Sequence, residues 1–114
     1  WIGHTEFGPN YVPVHRDNLN FLDFSDINHW MEQWYLTYQN CFTTFKGNEN
    51  VLFVCYENLC SSETYWLDLL QRLNIKVKYD FEFRESYKDI SLQIDKEIMN
   101  KDLSLYSELS DLIK

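Results

Sequence analysis

The hydrophobic pattern of this chain changes period several times, and its clearest helical stretch runs from residue 25 to residue 45. Apolar residues recur there at spacings of three and four, so they share one side of a helix and leave polar residues on the other. Ser25 or Asp26 can cap the start, and Gly47 suits the left-handed position after the end. The apolar members are Ile27, Trp30, Met31, Trp34, Tyr35, Tyr38, Cys41, Phe42 and Phe45; the polar members are Asn28, His29, Glu32, Gln33, Gln39 and Asn40.

A continuous apolar run, VLFVC, follows at residues 51–55. A strand with one face in water alternates polar and apolar residues, so this run predicts a strand with protein on both faces. Its backbone groups would need neighbours, because a buried unpaired amide costs about 1–3 kcal/mol. The chain offers only weak partner strands. We therefore expect self-association, as a dimer or a larger assembly, through strand pairing or exchange of the N-terminal arm.

The second half of the chain predicts two further helices. Ser61 or Ser62 caps a short helix that Asn74 ends in the left-handed region, and a closing helix spans about residues 95–112. Between them, residues 75–83 alternate with period two and predict a short edge strand or an extended segment. The buried stripes are Trp66, Leu69, Leu70 and Leu73 in the first helix, and Ile98, Leu105, Leu109 and Leu112 in the second.

Residues 1–24 hold both prolines and two of the three glycines. They predict an irregular arm that follows the tail of a helix ending near Gly3 or Gly8. The chain as a whole, residues 1–114, reads as a single domain or a part of one. Residues 25–114 have the order helix, strand, helix, extended segment, helix. A strand between helices predicts the α/β class, with parallel strands sandwiched between helices.

Composition narrows the partners of this 114-residue chain. Its net charge of −8 argues against nucleic acid and against an anionic membrane surface. No apolar run reaches the length of about 18 residues that a membrane span needs. The cysteines are Cys41, Cys55 and Cys60, an odd number in mostly apolar settings, which favours reduced thiols in a cytoplasmic protein.

The candidate chemical residues each have a simpler structural explanation. Glu57 follows the predicted strand, where α/β proteins bind ligands, but it can equally accept backbone amides in the turn. The pairs His4/Glu6 and His29/Glu32 supply too few ligands for a structural zinc, and His15 has no fixed relation to either, so we expect solvated histidines. Cys60 is a further candidate, as a partly exposed thiol that can be oxidised. Trp30, Trp34 and Trp66 are candidates for an aromatic acceptor pocket. The pair Ser61-Ser62 lacks the glycines of a nucleophile elbow.

Three segments together resemble the C-terminal half of sulfotransferases. They are WMEQWYLTY at residues 30–38, NVLFVCYENLCSSETYWLDLLQRLNI at residues 50–75 and IDKEIMNKDLSLYSELSDL at residues 94–112. The arm, WIGHTEFG, is similar to stretches of marine bacterial members. The resemblance covers roughly residues 25–113 and depends on the order and spacing of several features. It departs from the family at Asn58, where Asp is usual, and at Cys55, where Arg is common.

The resemblance implies a three-layer fold of the P-loop type and sulfuryl transfer from phosphoadenosine phosphosulfate to a hydroxyl or amine. The family's phosphosulfate loop, a Gly-rich turn that aims backbone amides at the anion, has no counterpart here. That loop, the catalytic residues and the flanking strands would lie upstream of Trp1. We therefore assign no catalytic, cofactor-binding or metal-binding residue and expect the chain to be inactive by itself, with no cofactor bound. The alternative is a non-enzymatic, acidic, mostly helical module that binds another protein.

Overall fold

The computed structural model describes residues 10–85 and 92–112. Four helices account for the regular structure of these residues: α1 (Ile27–Phe45), α2 (Tyr56–Ser61), α3 (Glu63–Arg72) and α4 (Lys96–Asp111). The described residues form two compact units. The first unit comprises residues 10–51 and 92–112, and the second comprises residues 52–85.

The prediction of an α/β fold is wrong, because the described residues contain no strand and the fold is helical. Residues 51–55 are neither helical nor paired with a strand. Leu52 and Val54 are 40% and 41% exposed, whereas Cys55 is buried. The backbone N–H of Cys55 donates to the Tyr65 hydroxyl, 3.1 Å away. An apolar run forms a strand only where a neighbouring strand takes up its backbone groups, and the described part of the chain supplies none.

The first unit is built on α1, whose ends were predicted correctly. Asp26 caps the start by accepting from the N–H of Asn28 at 2.9 Å. Gly47 follows the end with φ +79°, the left-handed conformation that glycine adopts without steric cost.

Helix α4 packs against α1 within the first unit. Asp95 caps α4 by accepting from the N–H groups of Glu97 and Ile98, and its own N–H donates to Asn28 Oδ1 at 2.7 Å. The buried stripe of α4 consists of Ile98, Asp102, Leu105 and Leu109. The apolar members match the predicted face, whereas Asp102 was not expected in it.

The second unit contains α2 and α3, which follow each other with Ser62 between them. Ser62 caps α3 by accepting from the N–H of Tyr65, and Asn74 follows its end with φ 52°, both as predicted. Helix α2 was missed. Only Leu70 of the predicted α3 stripe is fully buried, and Leu73 is 50% exposed. Residues 75–85 form no helix or strand, so the edge strand, one of the two predictions for this segment, is not formed.

Within the described ranges, no helix is both long enough and apolar enough to cross a membrane. The predicted helix tail near Gly3 or Gly8 lies outside the described residues.

Candidate functional site

The polar side of α1 is covered by the N-terminal arm, of which the structure describes residues 10–24. Three polar side chains of α1, namely His29, Glu32 and Gln33, are 1%, 4% and 8% exposed. They were predicted to lie on the polar side of the helix. Each instead binds a main-chain group of the arm, and we call these three residues the arm clamp.

Glu32 makes the densest set of contacts in the arm clamp. Its carboxylate accepts from the backbone N–H of Asn20 at 2.9 and 3.0 Å, from the side-chain amide of Asn20 at 2.8 Å and from the backbone N–H of Phe21 at 3.0 Å. A buried carboxylate is tolerated where several donors replace its water. These donors explain how an acidic side chain is buried beside the arm.

His29 and Gln33 bind the arm on either side of Glu32. The Phe21 carbonyl accepts from His29 Nδ1 at 2.7 Å, and His29 Nε2 shares a hydrogen bond with the Tyr11 hydroxyl, also at 2.7 Å. Burial raises the pKa of Tyr11. The Gln33 amide accepts from the N–H of His15 at 3.0 Å and donates to its carbonyl at 2.9 Å.

Two of the histidines that were considered as metal ligands, His29 and His15, take part in the contacts between α1 and the arm. His29 is the most deeply buried large side chain of the described residues, so the expectation that it is solvated is wrong. His15 Nε2 lies 3.2 Å from the Thr37 hydroxyl. Within the described residues, no group of three or more His, Cys, Asp or Glu side chains is placed to hold a metal ion. His4 and Glu6 lie outside the described residues.

The second unit contains a pocket of about 420 Å³, which we call the aromatic pocket. Its lining residues come from α2, from α3 and from the segment that follows α3. Trp66 lies edge-on to Phe81 with ring centroids 5.5 Å apart, and Phe81 contacts Phe83 at 5.3 Å. The backbone N–H of Arg84 donates to the Cys60 carbonyl at 2.8 Å and holds the segment to α2. The lining residues are Tyr56, Leu59, Cys60, Trp66, Phe81, Glu82, Phe83, Arg84 and Glu85.

Polar contacts occur in the aromatic pocket and next to it. Tyr79 donates to Glu63 Oε1 at 2.6 Å, and this hydrogen bond raises the pKa of Tyr79. A side-chain hydrogen bond with Cys60 is the largest of the causes that raise the pKa of Tyr56. Trp66 Nε1 is buried and has no hydrogen-bond partner among the described residues. The pocket is therefore lined by both aromatic and charged side chains.

The remaining candidates have structural neighbours. Cys55 Sγ donates to Glu57 Oε2 at 3.3 Å, and the Glu57 carbonyl accepts from the Ser61 hydroxyl at 2.7 Å. In the first unit, Trp30 Nε1 donates to the Phe24 carbonyl. The rings of Trp34 and Tyr38 contact each other in the same unit, with centroids 4.8 Å apart. Trp66 alone of the three predicted tryptophans lines the aromatic pocket. All three cysteines are free thiols.

The site residues that sequence reasoning missed are Gln33 and the aromatic residues after α3. The signal for the latter was present: Tyr79, Phe81 and Phe83 alternate with charged residues and so share one side of an extended chain. Comparison with known proteins gives no relative, since no protein-family model, curated protein or solved structure matches this chain.

Proposed function

We propose that this chain is a non-catalytic, protein-interaction module that acts through the apolar side chains of its second unit. One observation carries the proposal. Cys55 and Leu70 are the buried hydrophobic residues of residues 52–85. Eight large hydrophobic residues of the same unit are 40–68% exposed: Leu52, Val54, Tyr56, Leu67, Leu73, Ile75, Val77 and Phe81.

The size of the second unit supports this proposal. The second unit comprises only about 40 residues, and a unit of this size seldom buries enough apolar surface to offset the entropy of folding, unless a metal, disulfides or a partner contributes. No disulfide is formed, and no metal cluster occurs in the described residues. A partner surface would supply the apolar burial that residues 52–85 lack by themselves.

The partner that we propose is a second copy of this chain. Two identical apolar surfaces cover each other around a two-fold axis without any requirement for opposite charge. The net charge of −8 opposes this association by repulsion, which added salt screens. The association is therefore expected to strengthen as the salt concentration rises. A cytosolic location is part of the proposal, because it keeps the cysteine thiols reduced.

Light scattering coupled to size exclusion tests the proposal at micromolar concentration in 50 mM and 500 mM salt. We expect a dimer or larger assembly, with a larger mass at high salt. The double variant Leu67→Glu/Val77→Glu places charge at two half-exposed positions of the second unit and should give a monomer. Leu103→Glu, at a 60% exposed position of α4, is the matched control and should leave the mass unchanged.

A stable monomer for the unmodified chain at both salt concentrations would contradict self-association. Equal masses for the double variant and the Leu103→Glu control would show that a different surface associates. Circular dichroism must show that each variant retains its helices before either result is interpreted.

The second candidate is that these residues belong to a sulfotransferase. The order of α1, the Ser62-capped α3 and the closing α4 agrees with the helices of the resemblance, whereas α2 was not part of it. Residues 51–55 form no strand, which removes the observation that joined the resemblance to a sheet. In this proposal the second unit packs against the phosphosulfate-binding part of a longer polypeptide, and the sulfuryl donor binds there.

Two measurements test the second candidate. Calorimetry with adenosine 3′,5′-bisphosphate should give binding no tighter than millimolar for this chain, whereas micromolar binding would reveal a nucleotide site within it. Genomic DNA on the 5′ side of the Trp1 codon should encode a Gly-rich turn between a strand and a helix. Genomic DNA without such a turn would remove this candidate and leave the interaction module.

A further inference from the structure

Asp102 occupies an unusual position for an acidic residue. It lies in the buried stripe of α4 between Ile98 and Leu105, on the side that packs against α1, and it is 5% exposed. Both of its carboxylate oxygens are buried and lack a hydrogen-bond partner among the described residues. An ionised carboxylate without water, donor or cation is costly in such a place.

The neighbouring charges do not compensate for this burial. Lys101, the residue before Asp102, forms a salt bridge of 2.7 Å with Glu97 on the exposed side of α4. From α1, Glu32 and Tyr35 lie near enough to act on the charge of Lys101. The other titratable groups of α1 are His29, which is held by the arm, and Tyr38 and Cys41.

We propose that Asp102 makes the contact between α1 and α4 dependent on pH. The neutral acid form is compatible with the apolar interface and keeps α4 packed on α1. Ionisation places an unpaired charge in the interface and favours release of α4. The first unit thus carries a proton-controlled contact whose operation does not depend on the proposed self-association.

The direction of the pH dependence follows from the burial of the carboxyl group. Burial raises the pKa of Asp102 from 3.8 to about 6. Between these values the unfolded chain releases the proton and the folded chain keeps it, so stability falls as the pH rises. The contribution of Asp102 is fully present below pH 4 and is lost as the pH passes 6. A shift of this size changes the unfolding equilibrium constant by a factor on the order of 100 over the whole pH range, and by less between pH 4 and pH 7.

Urea unfolding followed by circular dichroism at pH values from 4 to 7.5 tests the proposal. In Asp102→Asn this position cannot ionise, so the ratio of the wild-type unfolding constant to that of the variant isolates its contribution. We expect this ratio to rise roughly 10- to 100-fold between pH 4 and pH 7. Glu108→Gln removes an exposed carboxylate from the same helix, and its ratio to Asp102→Asn should rise in the same way.

A ratio of wild type to Asp102→Asn that does not change with pH would overturn the proposal. Carbon-13 NMR titration of the Asp102 carboxyl group in the unmodified chain gives a second test that requires no variant to fold. A midpoint near 6 supports the proposal, and a midpoint near 4 overturns it.

Discussion

At the scale of single residues, the polar side of α1 shows how a sequence pattern can identify a face and still mislead about its surroundings. The three- and four-residue spacing correctly separated apolar from polar positions. It carried no information on whether water or protein covers the polar side. His29, Glu32 and Gln33 look solvated in a helical projection because most of their partners are main-chain groups of the arm, which are the same whatever residue carries them.

Asp102 could have been placed from its register alone. It lies four residues after Ile98 and three before Leu105, so helical geometry puts it on the same face. Acidic residues are usually solvated, and the predicted stripe contained only apolar residues. Buried polar residues of this kind are where pattern reasoning fails, because burial is decided by the packed neighbour and not by the residue itself.

Replacing Glu32 by Gln tests the arm clamp at the residue scale. Gln keeps one carbonyl oxygen but directs an amide N–H₂ at donors that Glu32 now accepts from, so hydrogen bonds to a charged group are lost. We expect the free energy of unfolding to fall by about 1–3 kcal/mol. Urea unfolding measures this change, and limited proteolysis should cut the arm faster in the variant.

Glu49→Gln is the control for this substitution, because Glu49 lies exposed in the turn after α1. Its effect on stability should stay within about 0.5 kcal/mol. Equal effects at the two positions would mean that Glu32 does not hold the arm in solution.

At the scale of elements, the helices with clear end signals were predicted correctly, whereas the strand predicted at residues 51–55 is not formed. Asp26, Ser62 and Asp95 each accept a hydrogen bond from a helix N-terminus, and Gly47 and Asn74 adopt the left-handed conformation after a helix end. These signals are local, so a sequence contains all of them. A strand depends on distant neighbours, and the run at residues 51–55 has none among the described residues.

The adjacent serines at the start of α3 provide a matched test of capping. Ser62 accepts from the N–H of Tyr65, whereas the hydroxyl of Ser61 donates to the Glu57 carbonyl within α2. Ser62→Ala should lower stability by about 1 kcal/mol, because an N–H at the helix start loses its acceptor. Ser61→Ala should be close to neutral, because its exposed hydroxyl donates only to a carbonyl of its own helix, which water can bind instead. Circular dichroism during urea unfolding measures both, and a larger loss for Ser61→Ala would contradict this assignment.

At the scale of the whole molecule, the two units differ in how much of their apolar surface they bury. The first unit buries Phe42, Ile98, Leu105 and Leu109, whereas the second buries Cys55 and Leu70. The hydrophobic pattern could not assign the buried apolar residues to one part of the chain. The three-layer fold that the resemblance to sulfotransferases implied is wrong, because the described residues contain no strand.

Amide hydrogen exchange should reveal this difference directly. Opening the second unit exposes little additional apolar surface, so the amides of α2 and α3 should exchange faster than those of α1 and α4. Mass spectrometry of peptic fragments from dilute protein, where the monomer predominates, measures the rates. Protection of α3 that equals that of α1 under these conditions would contradict the proposed need for a partner.

The contacts of Gln33 with both main-chain groups of His15, and of Glu32 with the amides of Asn20 and Phe21, have an evolutionary consequence. Most residue types can occupy positions 15 and 21 without loss of these attachments, since only proline lacks an N–H. Related chains should therefore show wide variation in the arm opposite a nearly invariant acid and amide on the helix.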